Sequence, residues 1–105
     1  MQIDFLYWDG CPSHPEAMAR LEAALARAGV DAQVRRRQVL SDDEARALQF
    51  PGSPTILIDG IDVQDAPVDA PVALTCRLYR TSDGLPSPVP DPATLDRAIQ
   101  EALAR

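Results

Sequence analysis

Two cysteines and a single histidine are the residues of this chain best suited to chemistry. Cys11 lies in Tyr7-Trp8-Asp9-Gly10-Cys11-Pro12-Ser13-His14, between an apolar run and a strongly periodic segment. This placement predicts a thiol at a helix start, with Cys11 as the cap and Pro12 as the first helical residue. Unpaired N–H groups and the positive end of the helix dipole there favour a thiolate, which is the nucleophilic form of cysteine. His14 falls three residues on, on the same predicted helix face. As an imidazolium it would hold the thiolate as an ion pair or act as an acid toward a leaving thiolate. As a neutral ring it would join Cys11 around a soft metal. The plainer readings are a small buried thiol used for packing and an exposed first-turn histidine.

The second cysteine, Cys76, lies in Leu74–Arg80, where Leu74, Cys76 and Leu78 alternate with Thr75, Arg77 and Tyr79. The alternation favours a buried strand residue in phase with the two leucines. The functional reading is a distal resolving thiol, which requires its Cα within roughly 7 Å of that of Cys11. The spacing of the two cysteines has none of the pairing of a zinc site, and no metal is expected unless Cys11 and His14 bind one. There is no phosphate loop, no Ser/His/Asp arrangement and no convincing carboxylate pair. Arg35-Arg36-Arg37 reads as the solvated face of an edge strand.

At 105 residues the chain is expected to form one domain, 1–105, large enough for its own core without disulfides. The formal charge of −6 argues against nonspecific nucleic-acid binding. All ten basic residues are arginine, from which no function follows. No stretch approaches the roughly 18 apolar residues of a membrane span, and no basic leader precedes Ile3. The expectation is a cytoplasmic protein, away from membranes, with both thiols reduced.

The elements that must position these residues follow from periodicity and caps. Residues 2–7 read as a buried strand. Ala17, Met18, Leu21, Ala24, Leu25 and Ala28 recur at helical steps, closed by Gly29. Val30–Val39 reads as a second strand, and Ser41-Asp42-Asp43-Glu44 is a capping box for a helix to about Leu48. Thr55–Ile58 is a third strand, after the proline turn Gly52-Ser53-Pro54 and before the glycine turn Asp59-Gly60. Residues 61–75 show little period. Leu74–Arg80 is expected as the fourth strand, and Asp91-Pro92 caps a last helix. The resulting β-α-β-α-β-β-α order fits an α/β domain with a four-stranded mixed sheet and helices on both faces.

Cys11-Pro12-Ser13-His14 after the first strand, together with Ser53-Pro54-Thr55, resembles the thioredoxin-like superfamily, especially its small glutaredoxin-type members. Their motif is Cys-Pro-x-Cys; here His14 stands where the second cysteine would be, which removes the ordinary dithiol mechanism at this motif. The resemblance implies a cis bond before Pro54. It also implies a turn whose backbone pairs with a bound peptide, glutathione or partner cysteine. Ser53, Pro54 and Thr55 inherit the partner-binding role, with Trp8, Pro12 and Ser13 as further candidates; Cys11 takes the catalytic role, and His14, from its place on the same helix face, is the candidate catalytic partner. The implied activity is monothiol thiol–disulfide exchange, or modification of the thiol, at Cys11. The second thiol would come from glutathione as co-substrate, from a partner protein or from Cys76. A soft-metal or thiol-ligand binding module and a non-catalytic interaction domain are the alternatives. No resident cofactor is expected.

Overall fold

The computed structural model describes residues 1–67 and 69–105. Strand β1 (Ile3–Tyr7) is followed by helix α1 (His14–Ala28), strand β2 (Val34–Gln38), helix α2 (Asp42–Leu48) and strand β3 (Thr55–Ile58). Then come strand β4 (Ile61–Asp62), a pair of two-residue strands, β5 (Tyr79–Arg80) and β6 (Pro86–Ser87), and helix α3 (Pro92–Ala104). The main sheet has the order β2-β1-β3-β4. β1 and β2 are parallel, with Phe5 opposite Arg36, whereas β3 runs antiparallel to β1 and β4 antiparallel to β3. The sheet is therefore four-stranded and mixed, as the sequence leads one to expect.

Alternation along the two central strands builds a core on each face of that sheet. Ile3 and Phe5 of β1 and Ile56 and Ile58 of β3 pack with Leu21 and Leu25 of α1 and Leu95 and Ile99 of α3. Leu6 and Leu57, one residue out of step, pack on the other face with Val39, Ala45 and Phe50, beside α2. The helix ends follow their caps. Gly29 takes the left-handed conformation that closes α1 (φ 68°). The Ser41 hydroxyl accepts the N–H of Glu44 at the start of α2. Asp91 accepts the N–H of Ala93 at the start of α3. The arginine strand β2 lies at the sheet edge, with Arg35 paired to Asp4 at 2.7 Å and Arg37 to Glu44 at 3.5 Å.

Three expectations are corrected. The strand placed over Val30–Val39 covers only Val34–Gln38. The fourth strand of the main sheet is Ile61–Asp62, which turns straight back from Asp59-Gly60; residues 74–80 do not join that sheet as a strand. The phase of 74–80 is also inverted: Arg77 and Tyr79 are buried, whereas Cys76 and Leu78 face solvent. The reason is a polar cluster. The Arg77 guanidinium donates to Asp62 Oδ2 at 2.7 Å, to Thr55 Oγ1 at 3.4 Å and to the carbonyl of Gln64, and lies 4.4 Å over the Tyr79 ring. A buried arginine is tolerated only with such partners. Among the described residues no helix is long and apolar enough to cross a membrane.

Candidate functional site

The site forms where the turn after β1 meets the turn before β3. The N–H of Cys11 donates to the carbonyl of Trp8 at 3.0 Å, so residues 8–11 make a tight turn ahead of α1. Helix α1 begins at His14 with Ser13 as its N-cap, so Cys11 precedes the cap rather than being it. Ser13 does not cap with its side chain. Its hydroxyl instead lies 3.0 Å from Cys11 Sγ. The start of α1 is correspondingly two residues further along the chain from the thiol than the sequence suggests, and the influence of its dipole fades within the first turn. A side-chain hydrogen bond takes its place.

The other half of the site is Ser53. The Ser53–Pro54 bond is cis. The Ser53 hydroxyl accepts the N–H of Trp8 at 2.9 Å, which leaves its own proton free to donate. The Cys11 thiol lies 3.4 Å from the Ser53 carbonyl. Both main-chain groups of Ser53 are engaged by the chain itself: its N–H donates to Thr75 and its carbonyl accepts from Arg77, each at 2.8 Å. A parallel bridge thereby sets Cys76 beside Ser53. The two cysteines, remote in sequence, are brought together as free thiols.

Their ionisation is pushed in opposite directions. Burial alone would raise Cys11, which is only 1 % exposed. Hydrogen bonds from the Ser13 hydroxyl and backbone N–H, from the Ser53 hydroxyl and from the Cys76 side outweigh that burial and hold Cys11 below the ordinary thiol value. Cys76 is raised, by burial first and then by its hydrogen bond to Cys11 and the charge Cys11 carries. Of the two thiols, Cys11 is therefore the one that ionises more readily.

His14 has a different setting. Its ring stacks on Tyr7 with centroids 4.6 Å apart, and Nε2 lies 3.8 Å from Asp9 Oδ1. Its Nδ1 is buried without a partner. The groups that lower Cys11 are Ser13, Ser53 and Cys76, so Ser13 fills the place the sequence gives to His14. Trp8 is half-buried against the α2-side core, its indole folded over Gly10, and Pro12 is exposed. Ser53 and Thr55 are buried, and so is Pro54, whose carbonyl accepts the Tyr79 hydroxyl at 2.5 Å. The turn expected to receive a partner is thus already paired with residues 75–77. Sequence reasoning treats Ser13 as a contact for a partner and leaves open whether Cys76 reaches Cys11. A free N-cap hydroxyl two residues after a cysteine is the signal for the former; no local signal exists for the latter.

In alkylation of Cys11 followed across pH, Ser13→Ala should move the profile to higher pH. A lowered pKa means more thiolate at a given pH, so loss of the stabilising hydroxyl reduces thiolate below the midpoint. One hydrogen bond to a charged group contributes about 1.5–3 kcal/mol, or roughly tenfold or more in thiolate at fixed pH. His14→Ala should leave the profile nearly in place. The midpoint is the readout, because the cover over Cys11 slows alkylation equally at every pH. An unmoved midpoint in Ser13→Ala would overturn the assignment.

Compared with protein-family models, curated proteins and solved structures, the chain matches none.

Proposed function

We propose that the chain is a small thioredoxin-like protein that carries out thiol–disulfide exchange, with Cys11 and Cys76 as its redox pair. One observation carries this reading: two free thiols lie side by side, the one held toward thiolate and the other toward thiol. A thiolate next to a second thiol has what internal disulfide formation needs, a nucleophile and a partner within reach. The four-stranded mixed sheet, the thiol after its first strand and the cis proline before its third support the thioredoxin-like reading. Cys76 then supplies what His14 does not at the fourth position of Cys11-Pro12-Ser13-His14. The partner is a thiol or disulfide of a protein or of glutathione, and the compartment is the cytoplasm, where both cysteines rest reduced.

Reduced protein poised in glutathione buffers of increasing potential, acid-quenched and mapped by peptide mass spectrometry, should show one reversible oxidised species containing the Cys11–Cys76 disulfide. A stable glutathione adduct on Cys11 with no internal disulfide would restrict the activity to a single thiol. The rival soft-metal reading shifts with the geometry from Cys11 and His14 to Cys11 and Cys76. Among the described residues no group of three or more His, Cys, Asp or Glu side chains could hold a metal ion. That leaves a two-coordinate thiolate site, which suits copper(I) better than four-coordinate zinc.

A further inference from the structure

We infer that Cys76, rather than Cys11, is the sulfur that exchanges with the external substrate, and that residues 75–77 are a segment of the chain docked on its own partner-binding turn. This inference rests on the redox pairing proposed above and assigns the order of events within it. Its basis is access. Cys11 is sealed beneath its neighbours at 1 % exposure. Cys76 faces solvent. A cleft of about 440 Å³, bounded by Pro51, Gln64, Pro71, Cys76, Leu78 and Arg80, opens onto Cys76 and not onto Cys11. That volume lies in the range of small-molecule sites.

Main-chain pairing explains how the exposed sulfur is held against the buried one. Ser53 donates to Thr75 and accepts from Arg77, the two neighbours of Cys76. Ser53 and Cys76 are bridge partners, and Cys11 Sγ lies 3.4 Å from the Ser53 carbonyl. An extended segment added along a turn or sheet edge is the usual way that a peptide presents a side chain to a site. Here the chain uses it on itself. The turn has no main-chain groups left at Ser53 for an outside peptide, and the sulfur of the pair that an outside disulfide meets first is that of Cys76.

The chemistry then proceeds in two displacements on a substrate disulfide R–S–S–R. Cys76 Sγ attacks one substrate sulfur; the S–S bond breaks, and the departing R–S⁻ takes the proton given up by Cys76. The Cys11 thiolate next attacks Cys76 Sγ, forming the Cys11–Cys76 bond and expelling the second R–S⁻, which is protonated by water. Two protein thiols are oxidised to one disulfide while the substrate disulfide is reduced to two thiols. Run backwards, an external thiolate attacks the exposed sulfur of the pair, and the electron pair leaves on Cys11, the better leaving group because its thiolate is the stabilised one.

The raised pKa of Cys76 does not reverse this order. Each tenfold loss of thiolate is offset about threefold by greater intrinsic nucleophilicity, so the net loss is only roughly three- to fourfold for each such step. Attack by Cys11 on an outside disulfide needs local opening, and every 1.4 kcal/mol of opening costs a factor of about ten.

The test uses 5,5′-dithiobis(2-nitrobenzoate), a small aromatic disulfide, on the whole chain. Wild type should release two thionitrobenzoate ions per chain and end as the internal disulfide. Cys11→Ser should release one at an initial rate no lower than that of wild type, since it removes the charge that raises Cys76, and retain the adduct on Cys76. Cys76→Ser should react at least about tenfold more slowly. To guard against a variant that fails to fold, wild type mixed with substoichiometric reagent is acid-quenched within milliseconds and the first adduct mapped. A first adduct on Cys11, or a Cys76→Ser that keeps the wild-type rate, overturns the assignment. Two separate adducts with no internal disulfide would instead refute the redox pairing itself.

Discussion

Arg77→Ala should lower stability by about 3 kcal/mol, near the lower end of what removing one partner of a buried ion pair costs. The side chain of Arg77 is 4 % exposed and that of Asp62 19 %, so Asp62 retains some water and the full penalty of a sealed charge does not apply. What remains after truncation is a desolvated carboxylate, a carbonyl of Gln64 without its donor, and a void beside the Tyr79 ring. For a chain of this size such a loss corresponds to a fall in Tm of roughly 12 °C or more. Thermal unfolding followed by circular dichroism measures it directly. Two further variants separate the causes. Asp62→Asn in the Arg77→Ala background should recover part of the loss by removing the stranded charge. Arg77→Lys should fall between wild type and alanine, because a lysine keeps the charge but cannot form the fork that reaches Asp62 and Gln64 together. A loss below about 1 kcal/mol for Arg77→Ala would show that the cluster is solvated and replaceable, as exposed pairs are.

The same cluster marks the boundary of what the sequence makes legible. β1, α1, α2, β3 and α3 each carry their own evidence: an apolar run, a three- and four-residue period, a capping box, a proline start. These signals are local, and the structure honours them except at the start of α1, which falls at His14 rather than at Pro12. The segment 74–80 has an equally clear local signal, and it points the wrong way. Leu74, Cys76 and Leu78 form the apolar phase, yet Leu78 is 60 % exposed and Arg77 is buried. Burial of Arg77 depends on Thr55, Asp62 and Gln64, which lie in other turns and strands, and nothing near Arg77 in sequence announces them. β4 escapes notice because two residues are too few to display a period. The thiol after β1 is visible in the sequence, and so is the proline turn it meets. The approach of Cys76 to Cys11 is not, because it is created by the pairing of Ser53 with Thr75 and Arg77, a long-range main-chain contact that side-chain identities do not encode.

Gly52→Ala should cost about 4 kcal/mol and separate the two cysteines, because two independent penalties fall on this residue. Gly52 has φ +128°, a conformation nearly restricted to glycine, which costs another residue on the order of 1–3 kcal/mol. A Cβ placed there would also lie 2.9 Å from both Cα and N of Arg77, and backbone, unlike a side-chain tip, cannot rotate away. Forced overpacking adds about 1–3 kcal/mol. Gly60→Ala is the matched control. Its φ of +81° is also positive, but nothing lies within 4 Å of the added methyl, so only the conformational cost applies. Gly52→Ala should therefore be clearly the worse of the two in chemical denaturation; equal losses would refute the close approach. The functional consequence follows from where the clash occurs. Moving Arg77 away from Gly52 stretches its N–H from the Ser53 carbonyl, one of the two main-chain bonds that hold residues 75–77 against the turn. In the folded fraction of Gly52→Ala, oxidation by glutathione disulfide should yield less Cys11–Cys76 disulfide and more glutathione adduct retained on Cys76, while Gly60→Ala oxidises as wild type does. An internal disulfide formed in full by a destabilised Gly52→Ala would mean that some contact other than the Ser53 pairing holds the two sulfurs together.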